Sequence, residues 1–394
     1  MGLYHFKTAR PYMLFVGLFF IASLFMVQKS FGEAAITVGD DVKIKFGVLL
    51  QTQIDESQIT TAAGGGDQGA YNQNIFLRRA RVLIGGQLAS RLTFFTETEA
   101  GFVGKQGANP YNSALATNKN IETTGLNVLD AVLTWNPIDP LYVDTGLILV
   151  PICRNCLQGA AMLLPINYFT SAFVESVATG SDISRDTGVQ LRSYLFNDKL
   201  EIRLGAFQGY RAVQLNPPGT DPFRGSPEAF RVAGRIQYNL LDAEKGFYYT
   251  GTYLGKKKVL AIGAGFDGEN DYHATAFDVF ADYPFTEAMS VTVQVDKIRW
   301  MPGQLATATL VDTDDWVAEA GLYLAPTKLM PFVQYEDQQF VNGNPDTRIV
   351  QAGIAYYFSG YNGNLKFSGG YKDTGAAINS YANQFTVQLQ GFYF

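Results

Sequence analysis

The sequence predicts an all-β fold, a transmembrane antiparallel β-barrel of about sixteen strands with long extracellular loops and short periplasmic turns. Three observations carry that expectation. Charged residues make up only 17% of the chain and aromatic residues 14%, with 40 Gly, 29 Phe and 22 Tyr, whereas a soluble globular chain carries about 25% charged residues. Mean hydropathy is +0.00, too polar for a bundle of membrane helices and suited to a wall with one face on lipid and one on water. Apolar and polar residues alternate with period two along segments long enough to cross a bilayer when tilted. The gaps between those segments alternate between short and long, as they do when one rim carries turns and the other loops.

The first element is a targeting segment. Lys7 and Arg10 precede an apolar run from Tyr12 to Val27, and Ser30, Phe31 and Gly32 follow. A basic start, an apolar run and a small-x-small end make a secretory signal peptide. It is expected to span residues 1–32, cut after Gly32, because the run is short for a membrane helix. Residues 33–394 are then one barrel domain. They hold 27 basic against 36 acidic side chains, a net charge of −9, which disfavours nucleic acid as a partner.

The strands follow in order. Val42, Ile44, Phe46, Val48 and Leu50 share one face of the first, with Lys43, Lys45, Gln51 and Gln53 on the other. Around 199–209, Leu200, Ile202, Leu204 and Ala206 oppose Glu201 and Arg203; around 228–239, Phe230, Val232, Ile236 and Tyr238 oppose Arg231, Arg235 and Gln237. Short gaps fall at Ala89-Ser90, Asn136 to Pro140, Phe196 to Lys199, Tyr283 to Glu287, Ala325 to Lys328 and Ser359 to Asn364. Long gaps span roughly 54–73, 102–124, 152–184, 210–227 and 300–313. A direct count reaches seventeen strands, which would put the termini on opposite sides. Placing Phe247 to Leu254 in a periplasmic connection restores sixteen. Trp135, Tyr283 and Phe285 beside short turns, and Trp300 and Trp316 beside a long loop, suit the aromatic girdles of such a wall. In the last strand Phe385, Val387 and Leu389 share one parity and Phe392 and Phe394 the other. A bulge at Gly391 would return them to one lipid face.

The water-facing parity places Arg79 and Arg81 inward, with Glu97, Glu99 and Asp130 within reach from the next two strands. Arg192, Arg203, Arg231 and Arg235, Glu201 beside Arg203, and Lys366 and Lys372 late in the chain share that face. Fixed cations along a wall lower the entry cost of anions, and acids opposite them orient a solute; the same charges also simply pair in a wet lumen. The loop 152–184 combines Cys153-Arg154-Asn155-Cys156 with an apolar stretch from Ala160 to Phe173. So apolar a loop is expected to fold back on the inner wall or a neighbouring subunit, which would set Arg154 at a constriction. A single Cys-x-x-Cys pair followed by Leu157 fits neither zinc nor haem attachment, so a disulfide between Cys153 and Cys156 is expected. After signal removal His273 is the one histidine, and neither G-x-S-x-G nor H-E-x-x-H occurs. No enzyme activity, metal or cofactor is expected.

Leu77-Arg78-Arg79-Ala80-Arg81, Leu129-Asp130-Ala131, Gly146 with Pro151, and Arg185-Asp186-Thr187-Gly188-Val189 come in sequence. Lys199-Leu200-Glu201 through Gly209, Gly251-Thr252-Tyr253-Leu254-Gly255 through Gly263, and the terminal Phe394 complete the series. In this order they resemble the phosphate-selective porin O/P family over nearly all the mature chain. The resemblance implies a sixteen-stranded, usually trimeric outer-membrane porin that passes small hydrophilic solutes. It also implies that Arg79, Arg81, Arg192, Arg203, Arg231 and Arg235 guide anions. The constriction loop and the residue that follows it carry Arg154 and Arg185 and lack a lysine cluster, so solutes other than phosphate-like oxyanions stay open. The alternative is a barrel that sheathes a redox partner across the membrane.

Overall fold

The computed structural model describes residues 35–38, 42–58, 71–105, 126–173, 184–209, 230–303, 310–341, 343–375 and 381–394. The expected signal segment and the outer parts of several long loops lie outside the described residues. Eight strands form the first half of the wall: β1 (Val42–Gln58), β2 (Tyr71–Ala89), β3 (Leu92–Val103), β4 (Asn127–Ile138), β5 (Leu141–Leu149), β6 (Arg185–Leu195), β7 (Leu200–Phe207) and β8 (Arg231–Asn239). The second half is β9 (Val259–Glu269), β10 (Tyr272–Thr286), β11 (Met289–Met301), β12 (Thr313–Leu324), β13 (Leu329–Phe340), β14 (Thr347–Tyr356), β15 (Gly363–Asp373) and β16 (Tyr381–Tyr393). Each pairs antiparallel with the next, and β16 closes on β1 from Gln384↔Ser57 to Tyr393↔Val48. Closure leaves the sixteen strands no free edge. A four-residue strand, Ala35–Val38, pairs with the start of β1.

Alternation sets the two faces. On β10 Val279 is exposed, and its cross-strand neighbours Ile262 and Val295 are exposed too, forming an apolar outer band. The intervening Asp278 and Phe280 are buried on the inner face. Trp135, Tyr283, Phe285 and Trp316 are exposed on the outside.

The structure corrects two expectations and bears out a third. Trp300 is fully buried, because it continues the inward parity of Gln294, Asp296 and Ile298 and is covered from within by Ile152 and Phe169. Pairing runs unbroken through Gly391, which faces Gly363 on one side and Leu50 on the other, so there is no bulge there. Phe392 instead packs inward with Leu49 and Leu83, and Phe394 folds over Gly47, where a Cβ would come within 2.6 Å of its ring. Residues 247–254 lie between β8 and β9, as the count of sixteen required, and the connection 240–258 that holds them runs inward. It leaves the short-turn rim and enters the interior, where the hydroxyls of Tyr248 and Tyr249 meet Asp130 and Glu201 of the wall.

A bulge in β2 reverses which side chains reach the interior. Gln51 faces Arg79 while Thr52 faces Leu77, which leaves Arg78 as the extra residue of β2. The parity switches there, so Asn74, Phe76 and Arg78 point inward before it and Arg79, Arg81 and Leu83 after it.

Candidate functional site: an interior clasped by two inserts

Two irregular segments meet inside the barrel. The first, residues 150–173, descends from the long-loop rim through short 3-10 turns at Asn155–Leu157 and Ala160–Met162. Cys153 and Cys156 are joined by a disulfide at its start. Its apolar side chains explain its course. Ile152, Cys156 and Phe169 pack on Tyr272, Ala274, Ile298 and Trp300 of β10 and β11. Leu164 and Ile166 pack on Met330 and Phe332 of β13, and Ala160 and Ala161 on Leu49 and Leu83 of β1 and β2. Burying one such large apolar side chain stabilises by about 1.5–3 kcal/mol. Gly265 of β9 makes room for the approach, since a Cβ there would lie 1.9 Å from the Ile152 carbonyl oxygen.

The second insert, residues 240–258, joins the first in a short parallel bridge between Gln158 and Tyr249. The Tyr249 amide donates to the Leu157 carbonyl at 2.8 Å, the Gly159 amide to the Tyr249 carbonyl at 3.0 Å, and the Gly251 amide to the Met162 carbonyl at 3.0 Å. A side-chain pair locks the join. The Arg154 guanidinium donates two 2.7 Å hydrogen bonds to Glu244 and one of 3.0 Å to the Thr250 carbonyl, and stacks 3.6 Å from the Phe280 ring centroid. Both side chains are buried. Burial pushes the Glu244 carboxyl up, but the Arg154 charge and the hydrogen bonds from Arg154 and Tyr253 outweigh it and hold Glu244 below the usual carboxylate range. Burial also pushes the Tyr248 hydroxyl far up, reinforced by Asp130 and Glu97, so it remains a neutral donor.

The arginines singled out from the sequence all lie inside, and the structure supplies each with acceptors. Arg79 donates to Gln51, and Arg81 to Glu97 at 2.9 Å and Glu99 at 2.8 Å. Arg185 pairs with Asp130 at 3.0 Å and Glu97 at 3.6 Å, and Arg192 with Asp144 at 2.9 Å. Arg203 bonds Glu201 and the carbonyls of Gly246 and Phe247. Arg231 pairs with Asp267, and Arg235 takes Asp278 with two donors and the Tyr249 hydroxyl with a third. Lys366 donates to the carbonyls of Leu163, Leu164 and Pro165. Inserts without regular structure present carbonyls that need donors, and Arg154, Arg203 and Lys366 provide them. Arg154 is fully buried, so its place is in the join between the inserts rather than on an open passage.

Strict alternation from Arg79 onward puts Arg78 on the lipid face; the bulge that turns it inward has no sequence signal of its own. Sequence reasoning also missed the opposite wall. Asp296 of β11 and Asp315 and Glu319 of β12 are buried and face inward. Neither carboxylate oxygen of Glu319 has a hydrogen-bond partner among the described residues. Inward parity beside Gln294 was the available signal. The interior is therefore cation-rich on β2 and β6–β8 and acidic on β11 and β12. Among the described residues no group of three or more His, Cys, Asp and Glu side chains is arranged to hold a metal ion. His273 stands exposed at the rim, in register with Gly268 and Met301.

A cavity of about 520 Å³ lies between the inserts and the wall at the short-turn end. Leu49, Leu83, Phe95, Met162, Tyr248 and Phe392 line its apolar part, and Lys43, Lys45, Arg81, Arg185 and Glu97 its charged part.

No protein-family model matches the chain, and no curated protein matches it in sequence. Solved structures share its fold. An anion-selective porin from Comamonas acidovorans superposes with a TM-score of 0.54 at 12% identity, over 89% of this chain and 100% of that one. The outer membrane channel DcaP of Acinetobacter baumannii gives 0.53 at 10% identity, over 91% and 100%. Salmonella typhi OmpF, in complex with daunomycin, gives 0.52 at 14% identity, over 91% and 100%. At these identities the likeness establishes the barrel fold.

Proposed function

We propose that this chain is a bacterial outer-membrane channel for the passive diffusion of small hydrophilic solutes, delivered by its signal segment and assembled as a homotrimer. The observation that carries the reading is a closed sixteen-strand wall with an apolar outer band and a charged interior, the arrangement that lets water and solutes pass inside while lipid stays outside. The solved structures that share the fold include channels and a porin named as anion-selective, which supports it. The finer reading is a preference for anions. Lys43, Lys45, Arg81 and Arg185 outnumber Glu97 along the cavity that the inserts leave open, and such a lining lowers the entry cost of anions. The resemblance to the phosphate-selective porin O/P family points the same way and supports the trimer. The sheath alternative finds no support in an interior whose centre holds the chain's own two inserts.

Single-channel recording in a salt gradient tests both levels. Open channels with an anion-directed reversal potential are expected. A cation-directed potential would discard the anion preference and keep the channel. Absence of current from a folded barrel would overturn the channel itself. Chemical cross-linking of the purified protein tests the trimer.

A further inference from the structure

The cavity at the short-turn end has a composition that diffusion of small polar ions does not require. Its apolar part is built largely of aromatic rings. Phe95 takes Tyr248 edge-on at 5.9 Å between centroids and Phe394 edge-on at 5.5 Å, and Phe392 and Met162 complete the surround. Edge-to-face rings leave faces and edges able to receive a further ring. About 520 Å³ lies within the roughly 300–1,000 Å³ of sites that bury a small organic ligand. Charge enters from one side. Lys43 and Lys45 are exposed at the rim, and both residues line the cavity. Arg81, only 6% exposed, also lines it, held in place by Glu97 and Glu99 on its two terminal nitrogens, and adds positive charge behind the lysines. Cationic side chains at the mouth of an aromatic-walled cavity are chemistry for a carboxylate on a ring.

We infer that this cavity is a binding vestibule for small aromatic carboxylates, the ring held among Phe95, Tyr248 and Phe392 and the carboxylate directed toward Arg81 and the two lysines. The inference deepens the diffusion reading and rests on it for the route by which such a solute arrives. It commits to a monoanionic ring because both halves of the lining are used: an inorganic anion would leave the aromatic part idle, and an aromatic amine would face four cationic side chains against Glu97.

The test uses the mature full-length barrel in detergent, with sodium benzoate as the probe and acetate and benzylamine as comparators. Equilibrium dialysis, with protein-free micelles as the blank, should show saturable benzoate binding that acetate and benzylamine do not match. Reversing Lys43→Glu and Lys45→Glu together should weaken benzoate binding by about tenfold; both side chains are exposed, so the barrel is expected to fold as before. Ala161→Phe, which fills the cavity from the first insert, should abolish binding. Absence of saturable benzoate binding, equal binding of benzylamine, or insensitivity to both variants would each overturn the inference. Bilayer recordings of the same sample separate the two levels. Open current without benzoate binding removes the vestibule alone, whereas benzoate binding without current removes the diffusion reading and leaves the site.

Discussion

Arg154 and Glu244 show how a residue pair sets the state of the interior. Both are buried, and Glu244 also accepts from Gln237 and Tyr253. Removing one partner of a buried ion pair leaves an uncompensated charge, which costs about 3–5 kcal/mol. Glu244→Ala should therefore loosen the join while the wall persists, seen as faster amide exchange over 154–162 and 246–251. The same pair predicts a pH dependence. Glu244 is held below the usual carboxylate range in the folded state, so its contribution is complete above the unfolded carboxylate value, about 4.3. That contribution is lost as pH falls through the lower folded value. Conductance should be flat from pH 7 to about 5 and become larger and noisier in stronger acid. Glu244→Gln should remove that acid step, and a wild-type conductance indifferent to acid would count against the clasp. Of these residues, Arg154 was visible in the sequence beside its two cysteines, but Glu244 was not. Nothing local marks a carboxylate ninety residues away as its partner.

Strands are the elements on which sequence reasoning worked best. Alternation over Leu200 to Ala206 or Phe230 to Tyr238 states which side chains meet lipid, because successive side chains of a strand must point to opposite faces. Alternation failed where an extra residue enters the ladder, as at Arg78, and at Trp300, where an aromatic near a strand end suits a girdle and an interior equally well. The outer band yields a prediction at this scale. Val279→Arg, flanked by exposed Ile262 and Val295, should cost about 2–4 kcal/mol at mid-membrane. Urea unfolding in vesicles measures it, with Val279→Leu expected near neutral; a neutral arginine there would mean this band does not face lipid.

At the scale of the molecule, the inserts decide how much of the barrel is open. The first enters from the long-loop rim and the second from the short-turn rim, and they share backbone hydrogen bonds near Gln158 and Tyr249. Replacing residues 244–254 with a short Gly-Ser turn removes Glu244, Leu254 and the backbone bonds by which the second insert holds the first, and leaves all sixteen strands in place. The variant should keep the heat-resistant migration of a folded barrel and raise single-channel conductance several-fold. An unchanged conductance would place the passage away from the join.

The sequence by itself determined that this chain is a barrel, how many strands it has to within one uncertain segment, and which faces of those strands carry arginine. Those properties follow from period-two alternation and gap lengths, and both are local. Only the tertiary structure decided that the arginines are matched by acids and insert carbonyls, that residues 240–258 turn inward, and that Phe392 and Trp300 belong to the interior. Alternation specifies a side of the sheet and never a partner across the barrel. The partners depend on which distant segments can bury their apolar side chains and satisfy their carbonyls inside it, and that is settled only once the wall has closed around them.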